Sequence, residues 1–294
     1  MNKVGFIGVG IMGKSMVRNL MKAGFELHIY ARTKSKVEDV IGEGAQFHES
    51  IKDCVQDCDA VITIVGFPQD VEEVYFDEGN ILDSAKEGAY LIDMTTTSPQ
   101  IAEKLYEEGT KRGFHVLDAP VTGGDTGAKA GTLSILVGGE KEDYEACMPL
   151  FEAMGTNINY QGKAGCGQHC KLANQIMIAG TLSGVCEALT YAKEQGLDPE
   201  VFMKSVATGA AGSKQLDTFG PKILKDDYAP GFFMKHFIKD MKLALIEANR
   251  KGLSLDVLSM VLANYEELEQ EGYGDLGTQA LMKFYDEEHR NTEE

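Results

Sequence analysis

Lys171 opens an otherwise uncharged helical run that reaches Cys186, and Asn174 and Gln175 follow it at i+3 and i+4. On a helix those three side chains face one way. A lysine at the start of so apolar a helix is either snorkelling to solvent or held in a cleft beside the two amides. Held in a cleft, it can give up a proton as ammonium and take one back as amine. A second constellation is Gly8-Val9-Gly10-Ile11-Met12-Gly13, which leaves one strand pattern and enters a helix. In that position Gly8 permits a tight turn, Gly10 lets backbone approach a pyrophosphate, and Gly13 lets helix and strand pack closely. Phosphate then sits at the helix N-terminus.

The end of the second strand reads Tyr30-Ala31-Arg32-Thr33-Lys34-Ser35-Lys36. A site for NAD usually carries Asp or Glu there, to accept from the ribose 2′-hydroxyl, and this chain has neither. Arg32 can stack beside adenine and meet a 2′-phosphate, with Thr33 and Lys36 adding a hydroxyl and a second charge. The pattern favours NADP, with NAD as the alternative. In Asp118-Ala119-Pro120-Val121-Thr122-Gly123-Gly124, glycines beside a hydroxyl expose successive N–H groups. They make either a concave donor site for a carboxylate or a structural turn. Lys239-Asp240-Met241-Lys242, shortly after Phe232-Phe233, reads on its own as a solvated, charged helix face.

Positioning these groups requires two domains. Strand runs alternate with helical patterns through the first half, as a parallel α/β sheet requires: Lys3 to Gly8, Glu26 to Tyr30, Ala60 to Val65, Ala89 to Asp93, His115 to Ala119 and Ser134 to Val137. Met12 to Ala23 is the first helix. Past Gly167 the pattern is helical, with Gln168 to Lys193, Pro199 to Ala207, Lys235 to Arg250 and Asp256 to Gln270. The expected division is a doubly wound domain over 1–162 and an all-helical domain over 163–294, with glycines clustering at the boundary. The tail from Asp286 to Glu294 reads as frayed.

At 294 residues and 43% hydrophobic content, the chain can bury two cores without disulfides, so the six cysteines read as reduced thiols. Cys54/Cys58 and Cys166/Cys170 have i, i+4 spacing but lack the further ligands of a zinc site, and no metal is expected. A net charge of -18 disfavours nucleic-acid and anionic membrane surfaces. The N-terminus runs into a strand without the pattern of a signal peptide, and Leu172 to Ala192 is broken by Asn174, Gln175, Thr181, Ser183 and Glu187. A cytoplasmic protein is expected.

Taken together, FIGVGIMGKSMVRNLMKAGF, DMTTTSP, DAPVTGGDTGAKAGTL, GQHCKLANQ and KDMKLAL, in that order over nearly the full length, resemble the β-hydroxyacid dehydrogenases. That family includes 3-hydroxyisobutyrate dehydrogenase, tartronate semialdehyde reductase and the glyoxylate/succinic semialdehyde reductases. The resemblance implies a Rossmann domain joined by a long helix to an α-helical domain, with the active site in the cleft between them, and dimers or tetramers. It implies hydride transfer between a nicotinamide and a small β-hydroxyacid or semialdehyde, with Lys171 as catalytic lysine. It places the substrate carboxylate at Thr122, Gly123 and Gly124, Lys239 and Asp240 near the nicotinamide end, and Thr96 beside cofactor or substrate. Phe232 and the amides of Asn174 and Gln175 then face substrate, Ile11 and Met12 lie over the pyrophosphate, and Val65 with Phe67-Pro68 lines the cofactor.

Three positions depart from the family pattern. Thr122 stands where serine is usual, Gln175 stands where asparagine is usual, and Gly274-Asp275-Leu276-Gly277-Thr278-Gln279-Ala280 replaces a more acidic motif. Imine reductases and decarboxylating 6-phosphogluconate dehydrogenases share the scaffold, but the first commonly replace the lysine and the second usually have a longer helical domain. A non-catalytic NADP-binding sensor is the alternative from another class.

Overall fold

The apolar run at the N-terminus forms β1 (Lys3–Ile7), and its alternate side chains enter two different cores. Val4 and Phe6 pack with Met16, Leu20 and Leu117, whereas Ile7 packs with Val61, Tyr75 and Leu91. Both faces of the strand are therefore covered, as in a sheet with helices on each side. The computed structural model describes residues 1–285, so the segment expected to be frayed lies outside the described residues.

The first compact unit spans Met1–Lys171. After β1 come α1 (Ile11–Lys22), β2 (Glu26–Tyr30), α2 (Glu38–Gly42), β3 (Gln46–Phe47), α3 (Ile51–Val55), β4 (Ala60–Thr63), α4 (Pro68–Phe76), α5 (Ile81–Ser84) and β5 (Tyr90–Asp93). Then follow α6 (Pro99–Lys111), β6 (His115–Asp118), β7 (Val121–Thr122), α7 (Gly124–Ala130), β8 (Leu133–Gly139), α8 (Lys141–Ala146), α9 (Met148–Met154), β9 (Gly155–Gly162) and the start of α10 (Cys166–Glu194). The sheet order is β3-β2-β1-β4-β5-β6-β8-β7, with β9 also paired to β8.

From β3 to β6 every pairing is parallel. At the far edge the expected parallel sheet becomes mixed, because β8 runs antiparallel to β6 and β7. The order reverses between β1 and β4, and ligands of such sheets bind beyond the carboxyl ends of the strands at that point. α1 is held against the sheet by Met16, Val17 and Leu20, all fully buried. Each such side chain contributes ~1.5–3 kcal/mol.

The second unit begins at Leu172, inside α10. β9 ends at Gly162, in the glycine cluster read as the boundary, but the helix runs unbroken past it for 29 residues. The unit contains the rest of α10, α11 (Pro199–Ala207), α12 (Lys214–Ile223), α13 (Met234–Arg250), α14 (Asp256–Gln270) and a 3-10 helix over Thr278–Tyr285. α12 is not among the helices expected from the sequence, and it carries Pro221 near its end. Ser213 caps its start by accepting from Leu216 N–H at 3.1 Å. By length and composition α10 could cross a membrane, although its polar positions read against that. Here Leu172, Leu182, Cys186 and Leu189 form a core with Phe237, Met241, Val261 and Tyr265.

All six cysteines are free thiols. Cys54 donates to the carbonyl of His28 and Cys58 to that of Cys54, and burial pushes the Cys58 thiol up to about 12.

Candidate active site

In the first unit the sequence-predicted residues gather at the carboxyl ends of the strands. Gly8 ends β1 at a φ of 96°, and a Cβ there would lie 2.1 Å from the carbonyl oxygen of Ile64. A Cβ on Gly13 would lie 2.2 Å from the carbonyl oxygen of Gly8, so these two positions admit nothing larger than glycine. Gly10 is different: it is exposed, and its Cβ would meet open space. It is also the N-cap of α1, and no side chain caps the helix there. Exposed backbone at an uncapped helix start, with glycine on its open side, fits a dinucleotide pyrophosphate. Ile11 is exposed beside it, while Met12 is half-buried against the core.

Arg32, Thr33 and Lys36 follow β2 and are all exposed, and Ala31 is half-buried. Arg32 does not stand alone: its Nη2 donates to Asp70 Oδ1 at 2.6 Å and to Glu73 Oε2 at 3.0 Å. Both acids lie on α4, whose start is capped by Asp70 Oδ2 accepting from Phe67 N–H at 2.9 Å. Sequence reading missed this pair, although Phe67-Pro68-Gln69-Asp70 carries the signal of a helix start with an acid at its third position.

The three threonines of DMTTTSP take different roles. Thr95 is buried and its hydroxyl accepts from Val65 N–H at 2.9 Å. Thr97 is buried too, and its N–H donates to Gln168 Oε1 at 3.0 Å. Thr96, between them, is the half-buried one. Gln168 also donates from Nε2 to the carbonyl of Thr95 at 2.8 Å, tying the first turn of α10 to the loop after β5. Asp118, at the end of β6, accepts from the N–H groups of Gly165 and Gln168 at 2.8 Å each and so caps α10 from a neighbouring strand. Gly167 lets the helix come this close, since a Cβ there would lie 2.4 Å from the carbonyl oxygen of Leu136.

Lys171 stands one turn after Gln168 and is only 6% exposed. Of the two readings open from sequence, burial to this extent argues against snorkelling, which keeps the ammonium in water. Thr122 closes β7 half-buried, and Gly123 and Gly124 follow with φ of 132° and 64°, Gly123 being the N-cap of α7. Among non-glycine residues such angles are rare.

Burial pushes the Asp118 carboxyl up to about 7, opposed by the two N–H donors. A carboxyl raised in the folded state binds its proton more tightly folded than unfolded. Its contribution is therefore present below about pH 4 and is lost as pH rises through about 7, at up to ~1.4 kcal/mol per pH unit. Urea unfolding between about pH 5 and pH 8 is expected to show a shallower pH slope in Asp118→Asn than in the parent, whatever the absolute stabilities. Parallel slopes would place the titration elsewhere.

In the second unit, Asn174 Nδ2 donates to Gln175 Oε1 at 2.7 Å, and Gln175 Nε2 donates to Asp240 Oδ2 at 2.7 Å. Lys239 Nζ lies 2.8 Å from the other oxygen of Asp240. Asp240 is 0% exposed, which corrects the sequence reading of a solvated helix face at this point. The pattern misled because Asp240 falls on the apolar stripe of α13, in line with Phe237, Met241 and Ala244. Lys242 does remain on the outer side, paired with Glu266.

Phe232 precedes α13 and packs against His236 and Phe237. The divergent segment at 274–280 is tied to the same region: Gly277 N–H donates to the carbonyl of Tyr228, and Met234 N–H to that of Leu276. Gln279 Nε2 donates to the carbonyls of Asp227 and Ala229.

Residues 3–162 match the family model described as the NAD binding domain of 6-phosphogluconate dehydrogenase. Residues 165–285 match the model described as NAD-binding of NADP-dependent 3-hydroxyisobutyrate dehydrogenase. The chain belongs to the β-hydroxyacid dehydrogenases. The uncharacterized oxidoreductase YkwC of Bacillus subtilis (strain 168) is 50% identical over 282 residues, covering 96% of this chain and 98% of that protein. The 2-hydroxy-3-oxopropionate reductase of Escherichia coli (strain K12) is 37% identical over 253 residues, covering 86% of each.

Among solved structures, Mycobacterium tuberculosis 3-hydroxyisobutyrate dehydrogenase with L-serine superposes at a TM-score of 0.87, with 26% identity and coverage of 96% of this chain and 98% of that one. As a β-hydroxyacid dehydrogenase, the protein is an oxidoreductase that uses a nicotinamide dinucleotide. Among the described residues no group of three or more His, Cys, Asp or Glu side chains is placed to hold a metal ion.

Proposed function

We propose that the protein interconverts a small carboxylate-bearing aldehyde and its β-hydroxyacid, with NADP(H) preferred and Lys171 moving the proton. The observation that carries this is the burial of Lys171 on a helix start tied to the end of β6 through Asp118 and to the loop after β5 through Gln168. A bound nicotinamide gives or takes the hydride. In the reducing direction Lys171, as ammonium, donates its proton to the developing alkoxide, and in the other direction the amine takes it back.

Thr122, Gly123 and Gly124 hold the substrate carboxylate, supported by two glycines in the positive-φ region at an uncapped helix start. Asn174 is the amide that meets substrate, because Gln175 spends both ends of its own amide on Asn174 and Asp240. Asp240 acts through Gln175 and Lys239, since it has no surface of its own. Arg32, Thr33 and Lys36 take the 2′-phosphate, with Ala31, Val65 and Thr96 lining the dinucleotide and Phe232 the substrate.

The test is oxidation of NADPH against a panel of glyoxylate, succinic semialdehyde, tartronate semialdehyde and methylmalonate semialdehyde, repeated with NADH and with Arg32→Asp. Turnover with at least one of them, a preference for NADPH, and loss of that preference in the variant are the expected results. Tight NADPH binding with no turnover of any carboxylated aldehyde would return the imine reductase and sensor readings.

A further inference from the structure

Two acids stand where the nucleotide reading asks only for a base. Asp70 has a structural reason to be on α4, since Oδ2 caps the helix, but nothing in that cap calls for Arg32 on Oδ1. Glu73, at i+3 on the same face, has no capping role and brings its carboxylate to the same Nη2. One nitrogen thus takes both acids while the side chain stays 62% exposed. The other edge of the guanidinium is left to a ligand, and a planar fork can take a phosphate there. Any phosphate on that edge shares its cation with two carboxylates, and like charges at such range repel.

We propose that Asp70 and Glu73 set the nucleotide discrimination of this site: they aim Arg32 while opposing a 2′-phosphate, and they offer a 2′-hydroxyl the carboxylate acceptors that the end of β2 lacks. The inference rests on Arg32 being the 2′-phosphate partner. Discrimination is then the difference between one arginine that favours the phosphate and two acids that disfavour it. The acids lie 38 and 41 residues from Arg32 in sequence.

The experiment is calorimetric titration of the full-length protein at low salt with NADP+ and with NAD+, on the parent, Glu73→Gln, Asp70→Asn/Glu73→Gln and Arg32→Ala. Asparagine at 70 keeps an oxygen for Phe67 N–H, and glutamine at 73 leaves the cap untouched. Glu73→Gln is expected to tighten NADP+ about threefold and the double variant about tenfold, in line with one and two exposed charge interactions. NAD+ should bind the same or more weakly. Unchanged or weaker NADP+ binding in Glu73→Gln overturns the inference. If Arg32→Ala abolishes the preference between the two nucleotides and the acid variants still do not tighten NADP+, only the inference fails. If Arg32→Ala leaves that preference unaltered, the assignment of Arg32 fails and takes the inference with it.

Discussion

Lys171→Ala is expected to lower kcat by about 100- to 10,000-fold and to leave the dissociation constant for NADPH within about twofold. The range is that of general acid–base catalysis, and the binding term is spared because Lys171 sits on α10, away from the glycine turn and from Arg32 in the chain. Lys171→Arg is not expected to rescue, although it keeps the positive charge. A guanidinium does not give up its proton in a protein, so it serves neither direction of the reaction. Single-turnover kinetics with NADPH and the best aldehyde of the panel would measure the step itself. A folded Lys171→Ala protein that keeps most of its turnover would remove the lysine from the role, and rescue by arginine would make its charge, not its proton, the contribution.

The second large effect is on stability. Lys239→Met is expected to cost about 3–5 kcal/mol, because it leaves the Asp240 carboxylate buried without its cation. Gln175 alone cannot offset a buried charge, since its amide supplies one neutral donor to one oxygen. The double variant Lys239→Met/Asp240→Leu is expected to recover most of that loss, as apolar replacement of both members of a buried pair is often close to neutral. Urea unfolding of the two single variants and the double gives the coupling directly. Additive losses would mean that the pair is not the source of the effect. Activity need not follow stability here, since the double variant also frees Gln175 and through it Asn174.

Much of this arrangement is legible in the residues themselves. The glycine turn was legible because it sits between an apolar strand and a helix, and because Gly8 and Gly13 are confined by backbone atoms close in sequence or in the neighbouring strand. Lys171, Asn174 and Gln175 were legible as one face of a helix from spacing alone. The helical second half and its long first helix followed from periodicity.

What stayed hidden is tertiary. Nothing in the neighbourhood of Gln168 says that its amide will be consumed by two threonine backbones 71 and 73 residues earlier. Asp240 was misread because a charged residue inside a charged stretch looks solvated until its place on the helix stripe is fixed by packing. Arg32 has no acid beside it in sequence, and its acids come from another helix. The antiparallel edge at β7 and β8 was missed for a similar reason. Strands of two residues, such as β7, are defined by their partners and not by a pattern of their own.

The amides of Thr97, Gly165 and Gln168 are all bonded to side-chain oxygens in the interior of the first unit, and not to neighbours along a ladder or helix. Local fraying cannot release them one at a time, since each acceptor belongs to a residue held by another strand or helix start. Their exchange with solvent deuterium is thus tied to the opening of that interior as a whole. They make a set of native reporters for how often the start of α10, and the lysine it carries, comes away from the sheet.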